Sequence, residues 1–150
     1  MRARYQVGSL LRWAAAGALV LVAASATAQE LPRVIVNAAN PATQIRREAL
    51  LSIYLGTMTV WKDGKPIAPV DHSMRSPVRA TFSEKVLGKP LQSVQYHWLR
   101  KIAAERVRPP PAKSSDAEVA AYVRANPGAI GYVAADFVLD ETVKVLKVVD

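Results

Sequence analysis

The sequence predicts an α/β domain in which a largely parallel sheet is flanked by helices. Three observations carry that expectation. Short β-branched runs alternate along the chain with stretches whose apolar residues recur at helical spacing. Of the 150 residues 51% are hydrophobic, which excludes a disordered chain or a collagen-like repeat and supplies material for a core. No cysteine is present, so neither disulfides nor a thiolate zinc site hold the domain, and two histidines leave little for any metal centre.

The first element is expected to leave the protein. Arg2, Arg4 and Arg12 form a positive region, an apolar run follows from Trp13 to Ala24, and Ala26-Thr27-Ala28 has the small-x-small pattern of a cleavage site. The run falls short of the roughly 20 apolar residues that a membrane span wants. The expectation is a signal peptide at residues 1–28, cleaved after Ala28, and a single domain at 29–150 in the periplasm or outside the cell, with no remaining membrane span. Three arginines and no acid would leave with it, lowering the formal charge from +8 to +5. That modest excess, without a clustered stripe, gives no case for nucleic acid.

Val34, Ile35 and Val36, bounded by Pro32 and Asn40-Pro41, predict a strand buried on both faces. Thr43 is placed to cap a helix over Gln44–Leu55, with Ile45, Ala49 and Ile53 on one face and Gly56 at its stop. Asp63-Gly64 marks a turn, and Ile67–Val70 reads as a second strand. Ser76-Pro77 combines a capping hydroxyl with proline at the first helical position, and Val78, Phe82 and Val86 follow at steps of four. Pro90 opens a third helix with Leu91, Val94, Trp98 and Ile102 on one face. The proline-rich stretch Arg106–Lys113 is a loop. Ser115 and Glu118 have capping-box spacing for a fourth helix, which Asn126-Pro127-Gly128 ends near Ala125. Ala129–Val133 reads as a third strand and Lys144–Val149 as a fourth.

The segment Asp71-His72-Ser73-Met74-Arg75-Ser76-Pro77 gathers most of the chain's candidate chemistry. Ser73, Arg75 and Ser76 offer two hydroxyls and a guanidinium where a strand feeds a helix start, a setting suited to an anion. Arg79 and His72 stand by as outer helpers, Arg79 through a charge-assisted bond. The plainer reading is that Ser76 only caps its own helix. Asp71-His72 invites an acid–base reading, yet no nucleophile elbow, phosphate-cradling glycine loop or H-E-x-x-H accompanies it. No enzyme activity, cofactor or metal is expected.

Three segments together resemble the phosphate-type extracytoplasmic solute-binding proteins of ABC transporters. Arg47–Gly56 with Thr59 and Trp61 is similar to that family's R-x-x-L-x-x-I-F-L-G-x-x-x-x-W segment. Pro69-Val70 with Ser73–Phe82 resembles its strand, anion loop and helix. Pro127-Gly128-Ala129-Ile130-Gly131-Tyr132-Val133 resembles its P-G-A-I-G-Y-V segment. The resemblance implies a periplasmic-binding-protein type II fold, reduced to one of the family's two lobes, with an oxyanion such as phosphate as ligand. Against the family's Arg-Ser-Asp-Gly-Ser-Gly-Thr-Thr run, Ser73 and Ser76 are kept, while His72, Met74 and Val78 replace the arginine, the aspartate and the first threonine. Two functions therefore stand at this point. One is a phosphate-type substrate-binding protein of transport, with its cleft open or completed by a homodimer. The other is an interaction or sensory module that keeps the lobe, has lost the ligand and docks on an envelope protein.

Overall fold

Strand β1 (Arg33–Asn37) runs through the middle of the sheet in the computed structural model, which describes residues 30–150. The expected export signal lies outside the described residues. Val34, Ile35 and Val36 are fully buried, as a continuous β-branched run between two packed faces requires. The strand order is β2-β7-β1-β6-β3, with β2 at Gln44–Arg46, β3 at Ala68–Pro69, β6 at Ala129–Val133 and β7 at Val143–Val149.

The sheet is mixed, which corrects the expectation of a largely parallel one. β1 pairs antiparallel with both β6 and β7, setting Val34 opposite Tyr132 on one side and Leu146 on the other. Only the outer pairs, β2 with β7 and β3 with β6, are parallel. Alternation of strands and helices signals crossovers but is blind to a central strand that runs against both neighbours.

A second correction falls on the first helix. Gln44–Arg46 form β2, and α1 begins only at Arg47 and ends at Tyr54. Thr43 caps nothing; its carbonyl accepts from Lys147 N at 3.2 Å and so opens the ladder to β7. Ile45 is buried in either register, so the apolar spacing could not separate strand from helix here.

Helix α2 (Pro77–Thr81) passes without a break into a π-helical turn at Phe82–Val86, closed by Leu87 N donating to Phe82 O at 2.9 Å. Helix α3 covers Leu91–Glu105 and α4 covers Asp116–Ala125. On α3, Val94 and Trp98 are buried and Leu91 is half-buried, but Ile102 is 39% exposed and leaves the expected apolar face. No helix among the described residues is long and apolar enough to cross a membrane.

The sheet's two faces carry separate cores. Val34, Val36, Ile130 and Tyr132 pack with α1 and the π-helical turn through Leu50, Ile53, Tyr54 and Phe82. Ile35, Ala129 and Val133 pack with α4 through Val119 and Val123. Alternate residues of one strand thus serve opposite layers. The start of α4 is held as predicted: Ser115 Oγ accepts from Glu118 N at 3.2 Å, while Glu118 Oε2 accepts from Ser114 N at 2.7 Å. Ser115→Ala is expected to remove about 1 kcal/mol of stability, read as a lower urea midpoint with an unchanged slope.

Candidate functional site

Beyond β3 the chain leaves the main sheet. Val70 N still donates to Ile130 O at 2.9 Å, but Asp71-His72 (β4) pairs parallel with Ala112-Lys113 (β5). Asp71 N donates to Pro111 O at 2.9 Å and Ser73 N to Lys113 O at 2.8 Å. The loop Ser73–Ser76 then turns, with Ser76 N donating to Ser73 O at 3.0 Å. Ser76 Oγ accepts from Arg79 N at 3.4 Å, and Pro77 occupies the first helical position. The Ser-Pro signal thus marks the true helix start, and the serine hydroxyl serves it as a cap.

Beneath this loop lies a buried polar network. The Asp71 carboxylate, 10% exposed, meets Arg79 Nη2 at 3.1 Å, and that arginine's side chain is 12% exposed. Arg79 Nη1 donates to His72 O at 2.7 Å, and His72 N donates to Asp71 Oδ1 at 2.9 Å. Tyr132 completes the set by donating its hydroxyl to Asp71 Oδ1. Burial raises the carboxyl pKa of Asp71 above its ordinary value, against the opposing pull of Arg79 and the hydrogen bonds. Burial also raises the Tyr132 phenol, with the Asp71 charge adding to it, so Tyr132 remains a donor.

His72 lies deeper still. Its Nε2 is 2.8 Å from Tyr132 O and 3.3 Å from Asp116 Oδ1. Both neighbours are acceptors, which places the proton on Nε2. The Asp71 and His72 side chains therefore meet different groups, Arg79 and the Tyr132 hydroxyl for one and the Tyr132 carbonyl and Asp116 for the other, and do not form a solvent-facing acid–base pair. An aromatic floor packs beneath them. Tyr132 stacks on Phe82 at 3.7 Å between centroids, and Tyr54 meets both rings edge-on. Tyr54 also donates its hydroxyl to Val70 O at 3.0 Å, fixing the strand just before the loop.

The five residues singled out in the sequence thus divide. Ser73 and Ser76 are half-buried in the loop, and Arg75 is exposed with no carboxylate paired to it among the described residues. Arg79 is committed to Asp71, and His72 is enclosed beneath Tyr132. The network partners Asp116 and Tyr132 were not foreseen. Tyr132 stood inside a quoted motif, but nothing in the spacing joined it to Asp71, 61 residues away.

A cleft of about 300 Å³ opens beside α2, where β6 ends and the chain enters β1. Pro77, Val78 and Thr81 line one wall, and Glu30, Pro32 and Asp136 lie opposite. None of the five residues is in its lining. A groove of about 490 Å³ runs along β3 between Trp98, Lys101 and the prolines at 109–111. Among the described residues, no group of three or more His, Asp or Glu side chains is placed to hold a metal ion.

The lobe thus sets a polar loop between the end of a strand and the start of a helix. A family model for the PBP superfamily domain matches residues 32–149, and the chain belongs to that superfamily. The fold is shared with solved solute receptors. An ABC-type phosphate transport receptor from Vibrio cholerae is 26% identical with a TM-score of 0.61, over 78% of this chain and 45% of that one. A putative phosphate ABC transporter substrate-binding protein with bound phosphate, from Clostridium perfringens, is 23% identical with a TM-score of 0.59, over 78% and 44%. PstS from Borrelia burgdorferi is 17% identical with a TM-score of 0.61, over 80% and 49%. The chain therefore spans less than half the length of each. The comparison with curated proteins finds no match.

Proposed function

We propose that this protein is an exported, non-enzymatic recognition lobe of the phosphate-receptor type, which takes an oxyanion such as phosphate at the Ser73–Ser76 loop. The observation that carries the reading is Arg75. It is an exposed guanidinium with no carboxylate paired to it among the described residues, set between two half-buried hydroxyls. Ser73, Arg75 and Ser76 supply the contacts, and Arg79 and His72 brace the loop from below rather than touch the ligand. The kinship to phosphate receptors supports the ligand class, and the sequence at residues 1–28 supports export.

A second reading is favoured by a specific observation: Arg79 is already neutralised by Asp71, and Glu30 and Asp136 line the neighbouring cleft. In that reading the lobe has given up its anion and serves as a docking module in the envelope. Thermal unfolding of the full chain separates the two. Phosphate at a hundred times its dissociation constant should add about 2.7 kcal/mol to the folded state, seen as a rise in Tm. Arg75→Ala with Ser73→Ala should abolish the rise while leaving the Tm without ligand in place. No rise with phosphate, sulfate or arsenate at millimolar concentration would overturn the oxyanion reading and leave the docking module.

A further inference from the structure

Helix α3 presents an unpartnered face that borders the loop site at Met74. Among the described residues the large exposed apolar side chains include Met74, Tyr96, Leu99 and Ile102. Leu99 is 66% exposed and Tyr96 63%. At about 100° per residue, Leu99, Ala103, Tyr96 and Arg100 lie on one arc of the helix, Ile102 stands at its edge beside Trp98, and Arg106 follows as the left-handed cap. Val94, Trp98 and the stem of Lys101 hold the opposite side. Met74 extends the arc at its edge, through Gln95 Nε2 at 3.5 Å from its sulfur.

The charges on this face have one sign. The guanidinium of Arg100 lies 5.9 Å from the Tyr96 ring centre, and no carboxylate pairs with Arg100 or Arg106 among the described residues. The single acid of α3, Glu105, belongs to the other side and is tied to Lys101 Nζ at 2.7 Å. A second copy is a poor occupant, since two such faces would bring arginines together with no carboxylate between them. The apolar row is one side chain wide, with cations along it and no acids. That arrangement matches negative charge spread over a plane with an apolar layer beneath.

We propose that α3 lies in the plane of an anionic lipid surface, with Leu99 directed at the acyl boundary and Tyr96, Arg100 and Arg106 at headgroup level. The chain has no cysteine, so Leu99→Cys offers a unique site for an environment-sensitive fluorophore. Glu141→Cys, exposed next to Asp140, which pairs with Arg124 of α4, is the control on the opposite side of the sheet. In the full chain, vesicles containing phosphatidylglycerol should blue-shift the label at 99 and not at 141, while pure phosphatidylcholine shifts neither. Arg100→Gln with Arg106→Gln should weaken the partition about 25-fold, roughly fivefold for each charge. Attachment through the apolar run at 13–24 alone would leave the label at 99 unshifted, and that result overturns the proposal. So does an equal shift on neutral vesicles, or a partition that the two arginine substitutions leave unchanged. A shift with soluble polyglutamate but not with vesicles also overturns it, and makes an acidic polypeptide the occupant of the face.

Discussion

Replacing Arg79 with methionine is expected to cost about 3–5 kcal/mol at neutral pH, because it leaves the Asp71 carboxylate buried without its counter-charge. The cost should depend on pH with a definite sign. Burial already raises the Asp71 pKa in the folded protein, and Arg79 is what opposes the rise. A carboxyl with a raised folded pKa contributes most to stability below its unfolded value of about 3.9, and that contribution is lost as pH climbs through the folded value. Without Arg79 the folded pKa moves higher, so the variant's deficit should be small near pH 3 and should widen toward neutrality. Urea midpoints measured across that range would show it. Adding Asp71→Asn to Arg79→Met should recover most of the loss at pH 7. A deficit that stays constant with pH would mean that Arg79 acts through its packing instead.

The second large effect is expected at Gly128. A Cβ placed there would stand 2.3 Å from the Pro66 backbone oxygen, a contact that no rotamer change relieves. The same residue's carbonyl accepts from Ala68 N and from the Trp61 indole, both at 3.0 Å. Gly128→Ala should therefore push β3 from the sheet edge and cost about 3 kcal/mol, the upper range for overpacking. Indole fluorescence should report the loss, since Trp61 leaves its partner. By contrast Gly131→Ala meets only the valine methyl groups of Val70, Val119 and Val123, the nearest at 2.8 Å, and should cost less.

Local chemistry was legible in the sequence wherever it was self-contained. The Ser76-Pro77 start, the Ser115 cap, the break at Asn126-Pro127-Gly128 and the buried run at β6 each rest on residues within a few positions of one another. Where partners are distant, the sequence was silent. Ile45 suits a helix face as well as a strand, and only the neighbouring edge of β7 decides between them. Arg79 read as a cation free for a ligand, because the carboxylate that claims it lies in a different element, on β4 across the Ser73–Ser76 turn, where no periodicity links the two. His72 read as a loop residue, yet Tyr132 and Asp116 draw it under the surface. The superfamily was readable because three short contiguous segments carry its pattern, that around Gly131 among them; the pairing of Arg79 with Asp71 was not.

The transfer of the chain from β3 to β4 has a consequence for how the loop is mounted. Ser73–Ser76 is tied on one side to the five-stranded sheet, through His72 on Tyr132, and on the other to a two-residue ladder whose far rail follows Pro109-Pro110-Pro111. Consecutive prolines resist bending and act as a strut. The loop therefore has a second support in the segment that follows α3, so its position answers to two separate stretches of chain.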